Sequence, residues 1–220
     1  MYGKGFRKRS VDNIIGELKE LRDKYHFKSI MWWDDTFTIN RKWLEEFCYK
    51  YKEEGFTAEM SANSRADLIC NNELTIKRLS EIGLNWLAIG FETGTQRMLD
   101  FIKKGVTLEQ NIKAADICRK YGIKVFGTFM LGLPTETKEE ARATIEMYKK
   151  IAPDHGMIFY FTPIPGTEIY SYCVDNDLII EGDELNIERT NTYTRNIKGI
   201  DYEYLEGLKQ ELLKDKSIKI

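Results

Sequence analysis

The four cysteines of this 220-residue chain, Cys48, Cys70, Cys118 and Cys173, stand at least 22 residues apart. That spacing lacks the local grouping of thiolates that a zinc site or an iron–sulfur loop needs. Cys48 recurs at helical spacing with Leu44, Phe47 and Tyr51, and Cys118 with Ala114, Ala115 and Tyr121, so both read as small buried hydrophobes. Cys70 and Cys173 fall near turns, with nothing beside them that marks a nucleophile. Long apolar runs are missing too: the longest are about strand length, far short of the ~20 residues of a bilayer span, and no secretory leader opens the chain. A cytoplasmic protein is the expectation. Net charge is only -2, which gives no electrostatic case for a nucleic-acid partner. There is no low-complexity linker, so a single domain is expected, burying roughly 70% of the surface its unfolded chain exposes.

What is present is organised around Lys124-Val-Phe-Gly-Thr-Phe-Met-Leu-Gly-Leu-Pro-Thr-Glu-Thr137. Its first half is short and almost wholly apolar, which reads as a strand buried on both faces. Gly132 and Pro134 stop that strand, and Thr137 with Glu140 forms a capping box that starts a helix over Lys138 to Ile151. In parallel α/β sheets, ligands sit beyond the carboxyl ends of the strands, so Gly132 to Glu136 should face a site, with the glycine allowing close approach of a flat ligand.

The same unit recurs along the chain. Ser10 caps a helix with the apolar stripe Val11, Ile14, Ile15, Leu18, Leu21 and Tyr25, and a strand comes next at Lys28 to Trp33. Asn40 caps a second helix to about Glu54, leading into a strand at Thr57 to Ala62; Gly83 leads into Asn85 to Gly90, and Gly122 into the strand at Lys124. A fifth strand is expected at Gly156 to Phe161. Strands alternating with helices predict parallel βαβ units. Beyond Gly166 the pattern weakens to a short helix at Glu168 to Cys173, extended structure around Thr192 to Thr194, and an amphipathic helix over Asp201 to Lys214. Residues 1–180 are expected to form the barrel portion, and 181–220 an extension packed on it.

Each expected strand ends in residues too polar or too small for a core: Asp34 and Asp35; Ser61, Asn63 and Arg65; Gly90 to Gly94 with Glu92; Gly132 and Glu136; Thr162 to Thr167 with Pro163. A parallel sheet places such ends on one rim, where carboxylates, an arginine and free backbone groups can converge. Singly, each has a plainer reading: Asp34 or Asp35 as a turn cap or a partner of Arg65, Glu92 as a helix start, and Pro163-Ile-Pro165 as a rigid turn.

In order, Asp34-Asp-Thr-Phe-Thr38, Ser64-Arg-Ala-Asp67, Ile89-Gly-Phe-Glu-Thr-Gly94, Lys104-Gly-Val-Thr107, Gly132-Leu-Pro-Thr-Glu-Thr137 and Thr162-Pro-Ile-Pro-Gly-Thr167 resemble the radical S-adenosylmethionine (SAM) enzymes. Within them the set looks most like the group whose members carry a cobalamin-binding domain. The resemblance, from about Phe6 to about Ile180, implies a partial TIM-like (β/α)6 barrel. It implies that a [4Fe-4S] cluster held by CxxxCxxC binds SAM, which is cleaved reductively to a 5′-deoxyadenosyl radical, and it leaves cobalamin use open. By the same resemblance Glu92 and Arg65 hold polar parts of SAM, Lys104 takes its carboxylate, Asp34 and Asp35 approach its amino group, and Asn63 belongs to the same rim. The Gly132 to Glu136 turn, Pro134 included, flanks the adenine, and Thr162 and Pro163 close the adenine or substrate side.

The chain departs from that family in one respect: it contains no CxxxCxxC, and Tyr2 to Ser10 resembles the family's segment just after the third cluster cysteine. The expectation is therefore a barrel lacking its first strand, with about five parallel strands, no cluster ligated by this chain, and an open edge at Ser29 to Trp33 that invites association. Two other readings compete: a non-catalytic binding module derived from the fold, and an unrelated α/β enzyme using Asp34, Asp35 and Glu92 for acid–base or metal chemistry.

Overall fold

The computed structural model describes residues 7–180 and 197–215. Within them run five strands, β1 Ser29–Met31, β2 Glu59–Ser64, β3 Leu84–Glu92, β4 Lys124–Leu131 and β5 His155–Tyr160. Before, between and after them come α1 Val11–Tyr25, α2 Arg41–Glu53, α3 Ala66–Asn71, α4 Glu73–Glu81, α5 Gln96–Phe101, α6 Leu108–Lys120, α7 Lys138–Ile151, α8 Glu168–Asp175 and α9 Tyr202–Lys214. The strands form one parallel sheet in sequence order, β1-β2-β3-β4-β5, as the recurring βαβ pattern requires. The extended structure expected at Thr192 to Thr194 lies outside the described residues.

The chain divides into two compact units, Met1–Ile89 with Lys113–Phe126, and Gly90–Ile112 with Gly127–Ile220. In the first, the Ser10 side chain accepts the Asn13 N–H at 3.2 Å and sets α1, whose Val11, Ile15 and Leu18 are buried. Leu21 and Tyr25, expected on the same stripe, are instead exposed. Helix α1 packs on α2, and α2 on α4. A relay of rings through Trp32, Phe37, Phe47, Tyr51 and Phe56 fills this core. Strand β1 is shorter than expected. Trp32 N–H still reaches Ser61 O at 2.9 Å, but the chain then turns away. Among the described residues β1 is the edge strand of the sheet, with Met31 and Trp33 60% and 81% exposed, as an open edge there would require.

In the second unit α7 begins at the expected capping box, with Thr137 Oγ1 accepting Glu140 N–H at 3.2 Å and Glu140 Oε2 accepting Thr137 N–H at 3.0 Å. Met98, Leu133, Phe161, Cys173 and Ile197 form one buried cluster, and Phe91, Phe129 and Tyr148 stack in another row. Helix α9 packs on α7.

The expectation that β4 is buried on both faces is corrected. Val125, Gly127, Phe129 and Leu131 are buried, whereas Phe126, Thr128 and Met130 are half-buried. β3 behaves alike: Leu87, Ile89 and Phe91 are buried, and Ala88, Gly90 and Glu92 are half-buried. Alternate residues point to opposite faces, so each strand keeps one face in the core and presents the other to a partly open space. An apolar run alone cannot separate these two environments.

Candidate functional site

The half-buried face of β3 ends in Glu92, whose φ of +64° is left-handed. For a residue with a side chain this costs roughly 1–2 kcal/mol, so the surroundings must enforce it. Its carboxylate folds back over the strand, with Oε1 2.6 Å from Lys104 Nζ and each side chain 19% exposed. Lys104 comes into reach because α5 closes in a left-handed turn, Lys103 at φ 52° and Gly105 at φ 70°, with Lys104 N–H on Leu99 O at 2.9 Å. Gly90 supplies the room: a Cβ there would lie 2.4 Å from Glu92 Oε1 and 2.9 Å from Lys104 Nζ. The pair forms part of the wall of a cavity of about 670 Å3, lined otherwise by the apolar side chains of Phe101, Met130, Phe161 and Tyr172 among others and by the Lys103–Glu168 ion pair. A carboxylate and an ammonium that already satisfy one another can exchange partners with a zwitterion, keeping every charge paired inside an apolar wall.

Next is the turn after β4. Gly132 has φ +78°, and a Cβ on it would meet Leu205 and Tyr202 of α9 at 3.5 Å, an ordinary contact. What demands glycine is therefore the backbone angle. Gly132 N–H donates to Glu136 Oε2 at 2.6 Å, while Glu136 Oε1 is buried without a partner. Burial pushes the Glu136 carboxyl up to about 7, against the opposing pull of the Gly132 N–H. Pro134 is buried. Thr135 is also left-handed, at φ +67°, and Arg97 holds it by donating to its carbonyl at 2.9 Å and its Oγ1 at 3.2 Å. The same guanidinium clasps Glu140, Nε to Oε1 at 2.6 Å, and that hydrogen bond holds the Glu140 carboxyl below its usual range. Sequence motifs do not single out Arg97. Its partners lie 38 and 43 positions away, beyond any local pattern.

Thr162 and Pro163 come after β5, half-buried and buried respectively. Phe161 N–H donates to Leu131 O at 2.8 Å, which sets the start of this segment beside the end of β4. The segment closes as a rigid turn, Thr167 Oγ1 donating to Ile164 O at 2.7 Å and accepting Tyr170 N–H at 3.2 Å to cap α8.

Asp34, Asp35, Asn63 and Arg65 belong to the first unit. Asp34 and Asp35 are exposed, and Asn63 Nδ2 donates to the Asp34 carbonyl at 3.0 Å. Arg65 Nε donates to Asp67 Oδ1 at 3.1 Å. The structure thus joins Glu92 with Lys104, Gly132 with Glu136, and Asp34 with Asn63, and gives Arg65 a partner from outside the expected set.

The thiols do not fit an iron–sulfur cluster. Cys48, Cys70, Cys118 and Cys173 lie on α2, α3, α6 and α8, all free and three of them buried. Burial pushes the Cys48 thiol up to about 12 and raises that of Cys173, the opposite of what thiolate ligation needs. Among the described residues no three His, Cys, Asp or Glu side chains gather as a metal-binding group, and no helix is long and apolar enough to cross a membrane.

Comparison with known proteins matches residues 1–148 to the radical SAM superfamily. An uncharacterized methyltransferase of Pyrococcus horikoshii is 37% identical over 179 residues, 81% of this chain and 39% of that protein. The anaerobic magnesium-protoporphyrin IX monomethyl ester cyclase of Rubrivivax gelatinosus is 25% identical over 84% of this chain and 33% of its own length. Among solved structures, the radical SAM methyltransferase TsrM of Kitasatospora setae, with cobalamin and a [4Fe-4S] cluster bound, superposes with a TM-score of 0.68 at 16% identity, over 77% of this chain and 32% of that one. The cobalamin-dependent radical SAM enzyme OxsB, with aqua-cobalamin and SAM bound, gives 0.62 at 18% identity, over 91% of this chain and 27% of that one. The chain therefore spans two-fifths or less of the length of these relatives, and its fold is the partial (β/α) barrel that the motifs imply. On its family match and its sequence identity, the chain belongs to the radical SAM superfamily.

Proposed function

We propose that this chain is the SAM-binding portion of a radical SAM enzyme that modifies a small molecule, lipid or peptide, with methyl transfer as the favoured outcome. The observation that carries the reading is the Glu92–Lys104 pair laid over Gly90 at the wall of an apolar cavity. In it, the ammonium of SAM takes Glu92 and the carboxylate takes Lys104. The Gly132 to Glu136 turn, with Pro134, flanks the adenine, and Thr162 and Pro163 close that side. Asp34, Asp35, Asn63 and Arg65 are assigned to SAM on family resemblance alone. Bound SAM supplies a sulfonium whose attached carbons are the reactive ones; the chain's own residues bind and orient it.

The cysteines present do not form the donor set of an iron–sulfur cluster. Residues 181–220 are read as an extension on the barrel portion 1–180, supported by α9 packing on α7 and by the Tyr160 hydroxyl donating to Glu206 at 2.9 Å. The misfit of the thiols also favours a second reading, a binding module without radical chemistry. The first reading expects SAM to bind. Titration calorimetry should find a Kd in the high micromolar to millimolar range, because this chain's own cysteines do not form the donor set of the cluster that the family resemblance gives as the anchor of the amino-acid end, and each lost charge-assisted hydrogen bond removes ~1.5–3 kcal/mol. Folded protein that binds no SAM at millimolar concentration would refute the first reading and favour the second.

A further inference from the structure

The bend that carries Glu92 is fastened from two helices by polar side chains that see no solvent. Asn111, in the first turn of α6 and 0% exposed, donates its Nδ2 hydrogen to the Phe91 carbonyl at 3.1 Å. Thr144, on α7 and also 0% exposed, accepts the Gly94 N–H at 2.9 Å and meets Thr93 Oγ1 at 3.2 Å. Between these fastenings stands Glu92 in its left-handed conformation.

The hold is made at a cost to the fold, since Asn111 Oδ1 is buried without a hydrogen-bond partner. The amide orientation is set by its surroundings: with oxygen and nitrogen exchanged, Oδ1 would face the Phe91 carbonyl oxygen. A side chain selected for stability alone at this position would be apolar and of the same shape, because the Phe91 carbonyl already accepts Thr93 N–H at 2.9 Å. The asparagine therefore serves something other than stability.

We propose that Asn111 is a positioning residue: by gripping the Phe91 carbonyl it keeps Glu92 left-handed, so that the carboxylate lies over Gly90 beside Lys104. The inference rests on the reading of Glu92 as a SAM-binding residue, and its test separates the two. Asn111→Leu in the full chain keeps the shape and removes both polar atoms. Thr75→Val is the control, removing another buried hydroxyl without a partner, on α4. Three quantities are measured: the thermal midpoint, the intraresidue HN–Hα NOE of Glu92, which is strong only at positive φ, and the SAM Kd.

Asn111→Leu is expected to melt at or above the wild-type midpoint, to lose the strong Glu92 NOE, and to raise the SAM Kd about tenfold. Thr75→Val should leave the NOE and the Kd unchanged. Should Asn111→Leu fail to fold, Asn111→Ala, which removes the amide without adding bulk, is expected to lose the NOE and the affinity while remaining folded. Either folded Asn111 variant with the wild-type NOE overturns the proposal, as does a lowered midpoint with NOE and Kd retained. If the wild type itself binds no SAM, the functional reading fails, and the NOE of the variants still decides the positioning role.

Discussion

Lys104 Nζ lies 2.6 Å from Glu92 Oε1, and both atoms occupy the space a side chain on Gly90 would need. A charge pair with 19% of each side chain exposed is neither a surface ornament nor a fully desolvated bridge. Lys104→Met should leave the Glu92 carboxylate without its cation and cost ~1–3 kcal/mol of stability. Adding Glu92→Gln should restore much of that loss. A double-mutant cycle of urea unfolding free energies measures the coupling, and strictly additive losses would contradict it.

Gly90 and Gly132 are both glycines of the site, but for different physical reasons, and their alanine variants should differ accordingly. At Gly90 the added methyl meets the ends of two flexible side chains, so Gly90→Ala should fold nearly as well as wild type while displacing the ion pair and weakening SAM binding. At Gly132 the methyl finds room, but φ +78° is unfavourable for alanine by ~1–2 kcal/mol. Thermal melting should show Gly132→Ala lowered by about 2–8 °C and Gly90→Ala little changed. The reverse order would contradict both assignments.

Glu136 makes stability depend on pH. Its carboxyl is raised from 4.5 to about 7 in the folded chain, so the folded state holds a proton that the unfolded state has released. The associated stability is complete below about pH 4.5 and is lost as pH rises through about 7. Its full size is roughly 3 kcal/mol. Glu136→Gln should remove this decline, gaining on wild type between pH 5 and pH 8 in chemical denaturation. Glu140, lowered by its hydrogen bond from Arg97, acts in a different window, losing its contribution as pH falls through its folded value. Parallel pH profiles for wild type and Glu136→Gln would refute the assignment.

The thiols set a further expectation. Anaerobic reconstitution with iron and sulfide should not yield a stoichiometric [4Fe-4S] cluster, because three of the four cysteines are buried and all four lie on separate helices. A stable cluster absorbance abolished by replacing one or two of these cysteines would be the contrary result.

Much of this was legible in the sequence, because local chemistry wrote it. Asn40 caps α2 by accepting the Trp43 N–H at 3.0 Å, and the Thr137–Glu140 box opens α7; both starts fall where the residue types demand them. The parallel order of the strands reflects the repeated helix–strand unit. What could not be read depends on contacts distant in sequence. The left-handed Glu92 is flanked by the hydrogen bonds of Asn111 to Phe91 and of Gly94 to Thr144, and Arg97 donates to Thr135. The break between α3 and α4 at Asn72 and the short 3-10 turn Phe37–Ile39 leave no strong periodic signal either.

The central claim is that Glu92, Lys104 and the Gly132 turn bind SAM. The most direct measurement is a series of 1H–15N spectra of the full chain titrated with S-adenosylhomocysteine, which carries the amino-acid and adenosine ends without the reactive methyl. The largest saturable shifts are predicted at Glu92, Lys104 and Gly132 to Glu136, and Glu92→Ala should weaken the fitted affinity by about tenfold or more. Saturable shifts that leave these residues untouched, or an affinity indifferent to Glu92→Ala, would contradict it.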